Sequence, residues 1–327
     1  MKKTLAKPLM LMALCAMMLG GRALAAMPRL TDPSTCAVEL IVLGAGQDAG
    51  APQIGNPDDP AWKDPARRLF ATSLGLVDRR TDQRYLFDAT PDIREQVQLL
   101  DQVYKSKRPN LGLHGIFLTH AHIGHYAGLI MLGREAANTA GLPVFAAPQM
   151  ASFLRENGPW SQLVGIGNIN LLASPPGSTT RLSDDVSVSS MRVPHRDELS
   201  ETVGYLIKAG TRSALFIPDI DDWDEWKAEY GVDIKALVAS VDAAFLDATF
   251  FDDKELPGRD MSAIPHPRVS ETMDRFADLP DSVRARVHFI HYNHTNKIRF
   301  PASSQSQQVV ARGHHIARRG DRFCLIE

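Results

Sequence analysis

The sequence predicts an α/β or α+β fold, and three observations lead to that prediction. Short apolar runs typical of β-strands recur along the chain from residue 36 onward. Segments with apolar residues at helical spacing lie between these runs in both halves of the chain. No short repeat, coiled coil, low-complexity segment or linker divides the sequence. We therefore expect a single folded domain over residues 26–327.

The first half of that domain alternates predicted strands and helices. The run "CAVELIVLG" (36–44) is typical of a buried strand, and it leads into the glycine-rich loop "GAGQDAGAPQIG". Two apolar runs on either side of the polar turn "RRTD" predict a hairpin. Strands are predicted at 69–78, 83–89, 113–120 and 142–147, and helices at 91–104, from 121 to about 138, and at 148–157.

The second half continues the same alternation after a loop rich in Gly, Pro and Ser near 173–178. Strands are predicted at 186–195, 202–209, 213–219, 243–250 and 286–294, and helices at 221–230, 267–279 and 305–317. The last helix includes His314 and His315, which we expect at the protein surface.

The first 25 residues differ in composition from the rest of the chain. They combine a basic start, the apolar run "PLMLMALCAMMLGG", and small residues at Ala23 and Ala25. This is the three-part pattern of a secretory signal peptide. We expect cleavage after Ala25 or Ala26 and a periplasmic or secreted protein without stable membrane insertion. An uncleaved anchor is the alternative, although the apolar run is short for a membrane span.

The charge of the processed chain is mildly acidic. Cleavage removes Lys2, Lys3, Lys7 and Arg22, so 32 of the 36 basic residues remain against 38 acidic ones, a net charge near −6. No long basic run is present, so we expect no nucleic-acid partner. We expect a small-molecule substrate instead, and no feature of the sequence favours one oligomeric state.

Two cysteines remain after processing, Cys36 and Cys324, near opposite ends of the chain. An oxidising compartment permits a disulfide between them. Two buried free thiols are the alternative.

Three histidines lie within six residues of the stretch "LTHAHIGHYAGL" (118–129). His120 and His122 are two positions apart at the end of a predicted strand, so in extended geometry they point the same way. His125 follows at the predicted start of a helix. Imidazole is a common ligand of zinc and also suits iron and copper, and core packing gives no reason for three adjacent histidines. The cluster therefore predicts part of a metal site.

Other candidate ligands lie at the ends of later apolar strands. His195, Asp219, Asp247 and His291 each end such a run. A lone aspartate at a strand end is usually a turn residue. Aspartates and histidines at the ends of four successive strands instead predict side chains that converge on one site. His266 lies in a loop between two of these motifs, either as a proton donor or substrate contact in the pocket or as an exposed loop residue.

These motifs resemble the metallo-β-lactamase superfamily, whose motif is His-x-His-x-Asp-His. The stretch 120–125 matches all of it except the aspartate, and "LFDATPD" resembles the strand that carries the superfamily's early aspartate, here Asp88. The segments "DATPDIREQ", "HIGHYAGLIMLGRE" and "FIHYNHTN" are similar to the branch of coenzyme PQQ synthesis protein B. The resemblance implies a four-layer αββα sandwich with its site at the shared edge of two sheets.

The resemblance also implies a set of ligands. One metal would be bound by His120, His122 and His195, and a second by His125 and His291, with Asp219 bridging the two. The expected cofactor is one or two zinc ions, with iron or manganese as alternatives. A metal-bound water or hydroxide would be the nucleophile, and Asp219 and His266 are the expected catalytic side chains.

The chain departs from the family pattern in two places. Gly124 replaces the motif's aspartate, so the second metal has fewer ligands and a mononuclear site is an alternative. Asp48 in the glycine loop is a candidate replacement, and the other interpretation is an aspartate that stabilises a turn. The loop also lacks the cysteines that the PQQ branch typically carries there.

The leading functional prediction is an exported metal-dependent hydrolase acting on an ester, lactone, amide or phosphoester. One alternative is an iron-dependent oxidase or hydroxylase related to PQQ biosynthesis. The other is a non-catalytic relative that binds a metal or ligand, which the missing motif aspartate would suit.

Overall fold

The computed structural model describes residues 36–327, so the predicted signal peptide lies outside the described residues. The strands are β1 Val38–Gly44, β2 Ser73–Asp78, β3 Gln83–Phe87, β4 Gly115–Phe117, β5 Leu142–Ala146, β6 Ile169–Ala173, β7 Thr179–Arg181, β8 Val186–Arg192, β9 Val203–Ala209, β10 Arg212–Ile217, β11 Ala243–Asp247, β12 Val287–Ile290, β13 His315–Ile316 and β14 Arg322–Ile326. The α-helices are α1 Ile93–Val103, α2 Ile123–Tyr126, α3 Pro148–Glu156, α4 Trp160–Gly165, α5 Trp223–Tyr230, α6 Ile234–Ala239, α7 Val269–Arg275, α8 Asp281–Arg284 and α9 Ser304–Ala311. None of the described helices has the length and apolar character needed to cross a membrane.

The strands form two mixed sheets of seven strands each. The first has the order β14-β1-β2-β3-β4-β5-β6, and the second has the order β13-β12-β11-β10-β9-β8-β7. In each sheet an antiparallel half adjoins a parallel half, because β3 to β6 and β10 to β13 run parallel to their neighbours. Helices flank the two sheets, which confirms the predicted α/β class. The predicted β2–β3 hairpin is also present.

Two apolar cores hold these layers together, and β1 contributes to both. Val38, Leu40 and Val42 belong to the larger core, which includes residues from both sheets. Ile41 and Leu43 belong to the second core, with residues of helices α1 and α3. Successive side chains of a strand point to opposite faces, so a strand with a core on each face is buried along its whole length, and Glu39, the one charged residue of β1, is paired with Arg79 and Arg322. This explains why "VELIVLG" is fully buried.

The parallel half of the second sheet places polar side chains along one edge. Strands β10, β11 and β12 are parallel, so their C-terminal ends meet at the same edge of the sheet. Asp219 follows β10, Asp247 ends β11 and His291 follows β12. In the first sheet, Asp88 and His120 likewise follow the parallel strands β3 and β4. The predicted convergence at strand ends is therefore what the topology produces.

The helix predicted to run to about Asn138 is shorter than expected. Helix α2 ends at Tyr126, and a 3-10 segment covers Ala127–Leu132. The Gly128 amide donates to the carbonyl oxygen of Ala89 at 2.8 Å instead of to a carbonyl one helical turn earlier. This long-range hydrogen bond ends the α-helical pattern and holds the segment against the end of β3.

The prediction that His314 and His315 lie on a surface helix is wrong. Helix α9 ends at Ala311, and Gly313 adopts a left-handed φ of 82°, a conformation that commonly terminates helices. His314 is then buried beside Phe289, while His315 starts β13 and stacks on His288 with a ring separation of 4.8 Å.

Cys36 and Cys324 form a disulfide, so the alternative of two free thiols is wrong. Strand β14 pairs with β1, and Cys324 lies opposite Glu39 in that pairing, which brings the two cysteines together. Their Cα atoms are 5.7 Å apart although 288 positions separate them in sequence.

We expect the double substitution Cys36→Ala with Cys324→Ala to lower the free energy of unfolding by about 2–5 kcal/mol, because the bond restricts the unfolded chain over a long loop. Denaturant titration of oxidised protein measures this loss. Adding reductant should destabilise the original chain and leave the variant unchanged. Equal stability of the two oxidised proteins would contradict the prediction.

Acid should destabilise the fold through two histidines. Burial, and then the neighbouring His315, lower the pKa of His288 to about 3, and burial lowers that of His314 to about 4. In the unfolded chain both pKa values return to about 6.5. Between pH 6.5 and about 3 the unfolded state therefore binds more protons, so stability is fully present above pH 6.5 and falls as the pH is lowered. Denaturation midpoints at pH 7.5 and 4.5 should show a smaller drop for His288→Phe; equal drops would contradict this assignment.

Candidate metal centre

Five of the six predicted ligands meet around one carboxylate oxygen. Oδ2 of Asp219 lies 3.4 Å from Nε2 of His120 and 3.3 Å from Nε2 of His195. The same oxygen lies 3.8 Å from Nε2 of both His125 and His291. All five side chains are buried. Residues that are up to 171 positions apart in sequence thus form one compact cluster.

The sixth predicted ligand, His122, joins this cluster through its other ring nitrogen. Nδ1 of His122 lies 3.1 Å from Nε2 of His195. Its Nε2 lies 3.2 Å from a carboxylate oxygen of Glu198. A carboxylate accepts hydrogen bonds, so the Nε2 proton of neutral His122 donates outward and the Nδ1 lone pair faces the cluster.

Outer carboxylates orient two of the other imidazoles. Nδ1 of His125 is 2.8 Å from Asp88, and Nδ1 of His195 is 2.5 Å from Asp221. Each Nδ1 proton donates to its carboxylate, so Nε2 is directed at Asp219. Sequence reasoning did not identify Asp221 as part of the site. Its only signal is its position two residues after Asp219.

Threonine hydroxyls orient His120 and His291 in the same way. The hydroxyl of Thr249 donates to Asp247 at 2.7 Å, so it accepts from Nδ1 of His291 at 3.1 Å. The hydroxyl of Thr119 lies 3.0 Å from Asp88 and 3.0 Å from Nδ1 of His120. A hydroxyl carries one proton, so a threonine that donates it to a carboxylate must accept the hydrogen bond from the histidine Nδ1. That hydrogen bond orients the imidazole. Neither threonine was predicted from the sequence.

The inner atoms of this arrangement are acceptors that face one another. Nε2 of His120, His125 and His291 is buried without a hydrogen-bond partner. Buried polar atoms are normally paired, and an unpaired one costs about 1–3 kcal/mol. Several inward lone pairs around a carboxylate are the donor set that zinc and related divalent ions bind. The residues therefore fit a bound metal.

The electrostatics of the cluster also favour a cation. Burial alone would raise the pKa of Asp219, but His195, His291 and His266 hold it well below its ordinary range. Burial opposes a charge on His195 too, yet Asp219 and Asp221 raise its pKa to about 10. Burial lowers the pKa of His120 well below its usual value, which keeps its lone pair available.

The potential ligand atoms form neighbouring groups that share the space around Asp219. One group contains His120, His122, His195 and Asp219, which are the residues predicted for the first metal and the bridging carboxylate. A second group contains Asp48, His125 and His291, with ligand atoms within 4.8 Å of one another. The structure thus brings all six predicted ligands together and adds Asp48 to them.

His266 is buried next to the cluster, so the alternative of an exposed loop residue is wrong. Its Nδ1 lies 2.9 Å from Asp247 and 3.2 Å from Oδ1 of Asp219. The guanidinium of Arg268 donates to the His266 carbonyl oxygen at 2.6 Å and fixes the loop. Asp247, a predicted strand-end carboxylate, therefore binds His266 and Thr249 and takes no part in the inner ring.

Three residues of the site adopt left-handed backbone conformations. The φ angles are 38° for Asp48, 68° for Asp88 and 65° for His291. Such conformations are uncommon for residues other than glycine, although Asp and His are enriched among the exceptions. They tend to occur at functional sites, where the surrounding structure determines the conformation. Here each one turns a polar side chain toward the site at a strand or loop end.

Residues 83–292 match the family model of the β-lactamase superfamily domain. The chain belongs to this superfamily. Among curated proteins it is similar to coenzyme PQQ synthesis protein B of Methylorubrum extorquens (strain PA1), with 26% identity over 314 residues, covering 86% of this chain and 98% of the relative. It is also 27% identical over 313 residues to the protein of that name from Rhizobium meliloti (strain 1021), covering 88% and 97%.

Solved structures show the same fold. Zn²⁺-bound PqqB from Methylobacterium extorquens superposes with a TM-score of 0.69 at 21% identity, covering 87% of this chain and 99% of that one. A diphosphatase from the PhnP family gives a TM-score of 0.58 at 21% identity over 88% and 96% of the two chains. The human short-form tRNase Z gives 0.53 at 15% identity over 88% and 100%. This superfamily member is thus PqqB-like and has the metallo-β-lactamase fold.

We expect Asp88→Asn to weaken zinc binding about 10- to 100-fold, because an amide does not orient the Nδ1 proton of His125 as a carboxylate does. Asparagine tolerates the left-handed backbone of this position, so the fold should be kept. Competition with a chromophoric chelator measures the affinity. Asp78→Asn, which removes a carboxylate remote from the cluster, serves as the control. Unchanged affinity in Asp88→Asn would show that the contact is dispensable.

Proposed function

We propose that this protein is an exported metal-dependent hydrolase of a small-molecule substrate. The observation that carries the proposal is the position of Asp219 Oδ2, between 3.3 and 3.8 Å from Nε2 of four histidines whose other ring nitrogens are already paired. A structural role does not require so many buried acceptors directed at one point. A divalent ion does require them.

The two sets of ligands divide around Asp219. His120, His122 and His195 would bind one ion, His125 and His291 would bind the other, and Asp219 would contribute to both. When bound, zinc supplies Lewis-acid chemistry that polarises the scissile bond and lowers the pKa of water to about 7. The paired Nδ1 atoms of His125 and His195 keep each imidazole in the tautomer that presents Nε2.

His266 is the side chain that we assign to proton transfer. Its Nδ1 is engaged by Asp247, so Nε2 is the ring nitrogen that remains for proton transfer. Arg268 holds the backbone of His266 and Asp247 holds its ring, so both the main chain and the imidazole are positioned. A positioned general acid of this kind assists the departure of an alkoxide, amine or phosphate.

A cavity of about 500 Å³ adjoins the cluster and supports a small substrate. Its lining combines apolar side chains, both signs of charge and candidate ligands: Asp48, His122, Ile123, Arg196, Glu198 and Leu199. Ile123 and Leu199 are more than half exposed, so they offer apolar surface at its mouth. The mixed lining suits an ester, lactone, amide or phosphoester with an apolar part. It does not suit a long polyanion.

Two features support export of the protein. The first 25 residues have the composition of a signal peptide. A disulfide such as Cys36–Cys324 is typical of proteins in an oxidising compartment such as the periplasm or the extracellular space.

An iron-dependent oxidase or hydroxylase is the second candidate, and the similarity to coenzyme PQQ synthesis protein B favours it. Histidine and aspartate also suit iron. Elemental analysis of protein purified without added metal separates the two proposals. Zinc with hydrolysis of model esters supports the first, and iron with oxygen consumption supports the second.

We expect His195→Ala to lose both bound metal and at least about a hundredfold of hydrolytic activity, because it removes a ligand beside Asp219. A chelator should inactivate the original protein, and zinc should restore it. His114→Ala, which changes a partly buried histidine outside the cluster, is the control. Full activity in chelated, metal-free protein would refute the hydrolase proposal.

A further inference from the structure

Gly124 lies directly against the backbone of the glycine loop. A Cβ atom added to Gly124 would lie 2.3 Å from Cα of Asp48 and 2.5 Å from its Oδ1. Distances below 3.0 Å do not occur for real Cβ atoms, and Cα belongs to the main chain, so a side-chain rotation cannot relieve the contact. The space that a side chain at position 124 would need is therefore occupied by Asp48.

The path of this loop is set by backbone hydrogen bonds to neighbouring site elements. The Gln47 amide donates to the Tyr292 carbonyl oxygen at 3.0 Å, directly after the predicted ligand His291. The Gly50 amide donates to the Gln47 carbonyl oxygen at 2.8 Å and closes a turn around Asp48. A Cβ on Gly50 would lie 2.0 Å from the Leu69 carbonyl oxygen, so the far side of the loop is closely packed too.

The Asp48 side chain points from this loop into the candidate metal centre. Its Oδ1 is buried without a hydrogen-bond partner and lies 3.9 Å from Nε2 of His125. Nε2 of His125 and of His291 are the other unpaired buried atoms of the same group. Ligands 2.0–2.2 Å from a tetrahedral zinc ion are separated by about 3.4 Å. The distance between Asp48 Oδ1 and His125 Nε2 is 3.9 Å, and all three potential ligand atoms lie within 4.8 Å of one another, so a small inward shift would bring them to an ion.

We propose that Asp48 supplies the carboxylate ligand of the second metal position, and that Gly124 is the opening through which its loop reaches that position. Asp48 and Gly124 therefore contribute together to the second metal position. The ligand comes from a different segment of the chain, and the glycine is the requirement for its approach. This inference rests on the metal centre of the proposed function and does not depend on which bond the protein hydrolyses.

The inference gives an outcome opposite to that expected from the superfamily motif. If Gly124 represented only the loss of the motif's aspartate, adding a methyl group at this position would have no effect on metal binding. If it admits the Asp48 loop, Gly124→Ala must shift that loop relative to helix α2 by several tenths of an ångström or more, although it removes no donor atom. Weaker binding of the second metal follows.

The test measures zinc binding by the full mature chain, using native mass spectrometry for stoichiometry and chelator competition for the two dissociation constants. Asp48→Asn keeps the size of the side chain and its tolerance of a left-handed φ, and removes the charge. Asp58→Asn, at an exposed carboxylate, is its control. Gly124→Ala is paired with Gly165→Ala, where an added Cβ meets no atom within 4 Å.

We expect two zinc ions in the original protein and in both controls. In Asp48→Asn and in Gly124→Ala, the dissociation constant of the more weakly bound ion should rise at least about tenfold. Two ions bound with unchanged constants in Asp48→Asn would overturn the role of Asp48, even if Gly124→Ala does not fold. Unchanged constants in a folded Gly124→Ala would overturn the role of the glycine. One ion in the original protein would overturn the inference and leave the hydrolase proposal intact, whereas no ion would overturn both.

Discussion

The buried negative charge of Asp219 is the constraint on which the rest of the site depends. A carboxylate far from water is costly unless positive charge or hydrogen-bond donors surround it. Here Nε2 of His120, His125 and His291 faces it as an unpaired acceptor, because Asp88, Thr119 and Thr249 engage their outer nitrogens. Each outer contact thus increases the need for a cation at the centre. The arrangement is self-consistent only when positive charge occupies the middle of the ring.

The site also requires both sheets in their packed arrangement. His120 and His125 follow a strand of the first sheet, whereas Asp219 and His291 follow strands of the second. A single sheet would carry only part of the ligand set. Because an ion that binds all of these residues contacts both sheets, its binding free energy would add to the apolar core between them.

The sequence could predict the inner ligands because His120, His195, Asp219 and His291 lie at the ends of predicted strands, which a sheet brings to one edge, and because His122 and His125 cluster with His120 in the sequence. It could not predict Asp221 and Thr249, since polar residues that orient a neighbour have no periodic signature. The role of Asp48 stayed open because the path of a loop depends on distant contacts, here with Tyr292 and Leu69. His314 was misplaced because the polar helical pattern continues past the glycine that ends the helix. Strand β7 and helices α4, α6 and α8 are too short to give a clear pattern.

The bond between Cys36 and Cys324 makes residues 36–324 a closed covalent ring. The main chain of this ring passes from the first sheet to the second between β6 and β7, and returns between β13 and β14. A protease cut in the exposed turn at 175–177 therefore releases no fragment, since the two halves stay joined through the sulfur atoms. A chain with new ends at that turn would still have all its strands connected through one covalent chain. In the periplasmic or extracellular environment proposed for this protein, where proteases are common, such tethering preserves a ligand set that is divided between the two halves.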